Sequence, residues 1–129
     1  MSDNSIKESS PQQAPVRKPR IMSGCRTTSQ LHVGNYWGAI NNWLKLQNDH
    51  ECYFGVMDLH GLTTAYKSSG EINQFNRDIF ADMIAWGLDP NKNTIFIQSK
   101  IPEHIELFMH FANLTPMGWL ERVPTWKDA

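Results

Sequence analysis

The sequence predicts an α/β fold, the amino-terminal half of a doubly wound parallel sheet. Three observations predict it. Apolar runs of strand length alternate with stretches of helical period, in the order strand, helix, strand, helix, strand, helix. That alternation builds βαβ units with right-handed crossovers. The central run, Cys52-Tyr53-Phe54-Gly55-Val56-Met57, is continuously apolar, as a parallel strand buried on both faces would be. Polar residues follow each strand directly, where open α/β sheets place their ligands.

Residues 1–19 are polar, carry Pro11, Pro15 and Pro19, and show no helical period, so they read as a disordered tail ahead of a partial domain over 20–129. The tail lacks the apolar stretch of a signal peptide, and Asp3, Glu8 and the prolines argue against a mitochondrial presequence. Arg17-Lys18-Pro19-Arg20 reads as a solvated linker, with contact to RNA as the sharper alternative.

The first strand is predicted over Arg20–Ser23, buried through Ile21 and Met22. A helix follows over about 35–47, with Trp37, Ile40, Trp43, Leu44 and Gln47 at helical spacing. That spacing assigns Trp37 and Trp43 to the core. The turn Asn48-Asp49-His50-Glu51 leads into the central strand, which ends in Asp58-Leu59-His60-Gly61-Leu62-Thr63. On spacing alone Asp58 is a capping residue and His60 faces solvent. Ser68-Ser69-Gly70-Glu71 fits a capping box with Ser68 as the cap. The helix it opens runs to Trp86, with Ile72, Phe75, Ile79, Met83 and Trp86 as its buried stripe. Gly87 suits a left-handed stop, and Asp89-Pro90 a turn. Thr94–Gln98 is the third strand, with Ser99 and Lys100 at its carboxyl end. Pro102 opens the last long helix at a permitted position, with Ile105, Phe108, Phe111 and Ala112 as its apolar face, and Thr115-Pro116 closes it.

Composition narrows the function classes. The chain has 129 residues, 40% hydrophobic and 11% aromatic, enough for one domain with a modest core. A net charge of −1 gives no global footprint for nucleic acid. No apolar run approaches the roughly 18 residues of a membrane span. Cys25 and Cys52 make neither a zinc framework nor a secreted disulfide pattern, so reduced thiols, no structural metal and a cytoplasmic location are expected. His104 and His110 are too far apart in sequence to chelate a metal from one helix face.

Chemistry concentrates between Ser23 and Gly38. A hydroxyl-rich loop leads into His32-Val33-Gly34-Asn35, which opens a helix. Loop N–H groups, hydroxyls and a helix amino end suit a phosphate. Neither the Walker spacing nor the dinucleotide Gly-x-Gly-x-x-Gly is present.

These residues resemble a different signature. His32-Val33-Gly34-Asn35 is similar to the "HIGH" motif of class I aminoacyl-tRNA synthetases. In the tryptophanyl branch the surrounding pattern is close to Ser-Gly-x-x-Pro-Thr-Gly-x-Leu-His-x-Gly-Asn-Tyr-x-Gly-Ala. Ser23, Gly24, Thr28, Leu31, His32, Gly34, Asn35, Tyr36, Gly38 and Ala39 fit it, whereas Thr27 stands at its proline and Ser29 at its second glycine. The block Val56-Met57-Asp58-Leu59-His60-Gly61-Leu62-Thr63 and the ending Trp119-Leu120-Glu121-Arg122 favour the tryptophanyl over the tyrosyl branch.

The resemblance implies a Rossmann sheet carrying the HIGH-type motif. It implies activation of L-tryptophan by ATP, with Mg²⁺, to tryptophanyl-AMP, and transfer to tRNA(Trp) by a homodimer. By matched position, Arg26, Thr27, Thr28, His32, Gly34 and Asn35 would line the ATP site, with His32 and Asn35 acting on the phosphates. Met22, Val56 and His60 would border the amino-acid pocket. The family's Lys-Met-Ser-Lys-Ser loop does not occur in this sequence. The residue that reads the indole N–H and the anticodon-reading domain also belong to later parts of the family. The chain is therefore expected to be an incomplete amino-terminal part, inactive by itself. A stand-alone nucleotide-binding paralogue and a tyrosyl-type enzyme are the alternatives.

Overall fold

The computed structural model describes residues 17–128. Most of the tail lies outside the described residues. Strands β1 (Arg20–Arg26), β2 (Glu51–Met57) and β3 (Asn93–Ile97) form a parallel sheet in the order β1-β2-β3. The expected α/β architecture is therefore present. β1 is longer than expected: it pairs with β2 through Gly24, Cys25 and Arg26, so the motif loop starts only at Thr27.

The first crossover is one helical run: α1 (Val33–Asn35), a π-helical segment over Tyr36–Ile40, and α2 (Asn41–Leu46). The second contains α3 (Asp58–Ala65), a 3₁₀ turn and α4 (Ile72–Ala85). Asp58-Leu59-His60 is thus already helical, directly after β2. After β3 come a 3₁₀ turn at Gln98–Lys100, α5 (Pro102–Leu114) and α6 (Met117–Leu120), with a final 3₁₀ turn over Pro124–Asp128.

Strand alternation sorts the two faces of the sheet. Cys25, Cys52, Phe54 and Val56 point to one face, where Ile40 and Trp43 from the first crossover and Ile79 and Met83 from α4 meet them, with Leu88 closing the cluster. Trp43 stacks on Phe54 with ring centroids 4.6 Å apart. On the other face, Met22 pairs with Tyr53, and Gly24 with Gly55. A cleft there of about 400 Å³ is lined by Met22, Tyr53, Phe96, Ile101 and His104, among others.

Two helical expectations are corrected. Trp37 is 67% exposed rather than core. The π segment widens the turn, so Tyr36, Ile40 and Trp43 share the buried side and Trp37 swings outward. The cap position before α4 is Glu71 rather than Ser68, and Glu71 makes no side-chain capping bond. The expectation for the Ser68 side chain lies outside the described residues. Gly87 does adopt the left-handed stop, at φ 109°. α5 begins at Pro102 as expected, but none of its residues is buried, and Ile105, Phe108 and Phe111 are exposed.

Candidate functional site

The carboxyl ends of β1 and β2 deliver the motif loop and α3 side by side. His32 caps α1 in extended conformation. Its Nδ1 accepts the Gly34 N–H at 3.1 Å, and its own N–H donates to Asn35 Oδ1 at 2.9 Å. This reciprocal box satisfies two helix-end donors. An imidazole that accepts at Nδ1 carries its proton on Nε2 when neutral, so Nε2–H is a free donor. The ring lies over Gly34: a Cβ at that position would come within 2.8 Å of His32 Cε1. A side chain there would have to displace the histidine ring, a reason for glycine distinct from close approach of a ligand. Asn35 keeps its amide NH₂ available, since only its oxygen is used in the cap. Leu31, His32, Val33, Tyr36 and Trp86 line an open cleft of about 520 Å³ beside the motif.

Arg26, the last residue of β1, is exposed, as are Thr28, Ser29 and Gln30 along the loop. Ser29 replaces the family pattern's glycine without strain, because no non-glycine among the described residues has a positive φ. His60 is exposed on α3, with its backbone N–H bonded to Gln98 Oε1 at 3.1 Å. Met22 is 60% exposed on the open sheet face.

Two expected site residues are placed elsewhere. Val56 is 0% exposed, facing the crossover helices, because period-two alternation turns it away from Met22. It offers no surface to an amino acid. Thr27 is likewise 0% exposed, with its side chain turned inward from the open loop. Its hydroxyl donates to Asn76 Oδ1 at 3.2 Å. Asn76 then donates through Nδ2 to Asp58 Oδ2 at 3.0 Å. Asp58 also accepts from Leu59 N–H and Ser99 N–H at 2.9 Å each, and from Ser99 Oγ at 2.6 Å. Four donors satisfy this 5%-exposed carboxylate in place of a cation. Asn76 carried no sequence signal beyond being a polar residue on an otherwise apolar helix side.

A family model described as tRNA synthetases class I (W and Y) matches residues 14–129. The chain belongs to that synthetase family. Its similarity to tryptophan ligases is extensive: it is 53% identical over 109 residues to the tryptophan–tRNA ligase of Aquifex aeolicus and 49% identical over 109 residues to that of Ralstonia nicotianae. These matches cover 84% of this chain but 28% and 27% of the relatives, so the chain spans little more than a quarter of their length. Among solved structures, the Campylobacter jejuni tryptophanyl-tRNA synthetase complexed with ADP and tryptophan superposes with a TM-score of 0.77 at 30% identity, over 84% of this chain and 34% of that one. The Mycoplasma pneumoniae tryptophanyl-tRNA synthetase gives 0.77 at 28% identity, over 86% and 32%. The synthetase fold thus accounts for the parallel sheet. Among the described residues, no helix is long and apolar enough to cross a membrane, and no three His, Cys, Asp or Glu side chains gather as metal ligands.

Proposed function

We propose that this chain is part of a cytoplasmic tryptophan–tRNA ligase, contributing the amino-terminal portion of its ATP and tryptophan sites. The observation that carries the reading is the intact His32–Gly34–Asn35 cap in a chain 53% identical to a tryptophan ligase.

In the proposed reaction a tryptophan carboxylate oxygen attacks the α-phosphorus of ATP. The P–O bond to the β-phosphate breaks, pyrophosphate leaves with its electron pair, and tryptophanyl-AMP remains for transfer to tRNA(Trp). Such a step needs positioning and charge stabilisation rather than covalent help. His32 Nε2–H and the Asn35 amide donate to phosphate oxygens, and Gly34 allows the imidazole to fold into that position. Arg26 at the end of β1 and Thr28 on the exposed loop stand beside the nucleotide. Met22 and His60 border the tryptophan. Mg²⁺ would accompany the ATP and offset phosphate charge; Asp58 would not hold it, because its carboxylate already accepts four hydrogen bonds. The complete enzyme acts as a homodimer, and this chain alone is inactive because it lacks the pyrophosphate-holding signature loop.

The test is amino-acid-dependent ATP–pyrophosphate exchange by the full product of the gene. Exchange with tryptophan and not tyrosine supports the reading. Exchange with tyrosine assigns a tyrosyl-type enzyme. Adenine-nucleotide binding without exchange assigns a paralogue that has lost aminoacylation. Exchange by the 129-residue chain itself would refute its inactivity.

A further inference from the structure

The chain Thr27–Asn76–Asp58–Ser99 joins four separate segments: the residue after β1, the residue after β2, the turn after β3, and α4. Every hydrogen bond in it has one direction. Asp58 accepts only, so Asn76 must present its NH₂ to the carboxylate and its oxygen to Thr27. Thr27 is held on its backbone side as well. Its N–H reaches Met57 O at 3.4 Å, and a Cβ at Gly61 would stand 2.1 Å from its carbonyl oxygen. The residue that begins the motif loop is therefore fixed on both sides, although nothing in the loop ahead of His32 is buried except Thr27 and, partly, Leu31.

We propose that these four residues form a clasp that sets the position of the loop from Thr27 to His32 for a nucleotide, with Asn76 and Thr27 as positioning residues. In its ligand the inference rests on the nucleotide reading above. The clasp itself does not. A threonine where the family pattern has proline is then functional: proline would fix φ by its ring, whereas Thr27 is fixed by a hydroxyl.

Two near-isosteric changes separate hydrogen bonding from packing. Thr27→Val keeps the volume and removes the hydroxyl; Thr27→Ser keeps the hydroxyl and removes a methyl. Asn76→Leu removes the central amide. Amide hydrogen exchange is read by NMR in the full product of the gene at position 27 and at His32, with Phe54 and Val56 as core controls. Expected are exchange roughly tenfold faster at position 27 and His32 in Thr27→Val and Asn76→Leu, the size of one lost buried bond, with the controls unmoved. Thr27→Ser is expected to retain the wild-type rates. A loop loosened by Thr27→Ser but not by Thr27→Val makes the contact one of packing and overturns the clasp. Equal acceleration at loop and core also overturns it, since the residues then serve only global stability, and so does no change at all.

Titration of ATP against the His32 and Gly34 amides in the full product of the gene tests the ligand separately. Expected is saturable movement in the wild type, with roughly tenfold weaker affinity in Thr27→Val. Wild-type amides unmoved by ATP would remove the nucleotide from the inference and from the proposed function, while the exchange rates still decide the clasp.

Discussion

At the scale of single residues, the site depends on how one side chain makes room for another. Gly34 lacks a Cβ where the His32 ring lies, so Gly34→Ala is expected to push the imidazole out of its cap. The outcome to look for is loss of the His32 Nδ1 bond, seen as a changed ¹⁵N imidazole shift, with a stability loss of about 1 kcal/mol for the broken cap. An unshifted imidazole spectrum would show that the ring has another support. Cys25 gives a second residue-level prediction. Burial pushes its thiol up from 9.0 to about 11. A pKa raised on folding favours the protonated form: its contribution to stability is complete below pH 9.0 and fades as pH rises through about 11. Alkylation by iodoacetamide, followed by mass spectrometry, is therefore expected to spare Cys25 at pH 8 and to advance only as the pH nears its raised value. Rapid modification of the folded chain at pH 8 would contradict this.

At the scale of elements, β2 and β3 were readable because each is a short, largely apolar run bounded by turn residues, whereas the end of β1 beyond Ser23 was not, because Ser23-Gly24 interrupts its apolar residues. Gly87 and Pro102 were readable because each residue type allows few conformations. The π segment was not, since Tyr36–Ile40 carries no composition that separates π from α, and one widened turn reassigns Trp37 to solvent. The motif cap was visible as a phosphate-suited helix start, but the burial of Thr27 was not, because its partner Asn76 lies 49 positions further along the chain. Trp43 was assigned correctly and joins the first crossover to β2 through its stack on Phe54. Trp43→Ala is expected to cost about 3–5 kcal/mol, measured by urea unfolding, whereas Trp37→Ala should stay within roughly 0.5 kcal/mol. Similar losses at both tryptophans would argue against the π-shifted register. Gly61→Ala should be costly as well, because the added methyl meets backbone at Thr27 and no side chain can give way.

At the scale of the whole molecule, the two faces of the sheet are unequal. One is closed by both crossovers. The other keeps Met22 in the open, and α5 and α6 expose Phe108, Phe111, Leu114 and Trp119. Apolar surface on that scale normally meets a partner or another part of the same protein. The isolated chain is therefore expected to bind a hydrophobic dye such as ANS and to associate with rising concentration in sedimentation velocity. A dye-silent monomer at all concentrations would contradict it. The four-way bonding around Asp58 also sets an order of events. The chain is made from its amino end, so the loop that starts at Thr27 leaves the ribosome well before Asn76 and Ser99 exist. What is synthesised among the first residues of the fold is thus among the last to find its place. Until the turn after β3 has been translated, the motif can be complete in sequence and still lack the Ser99 end of its support.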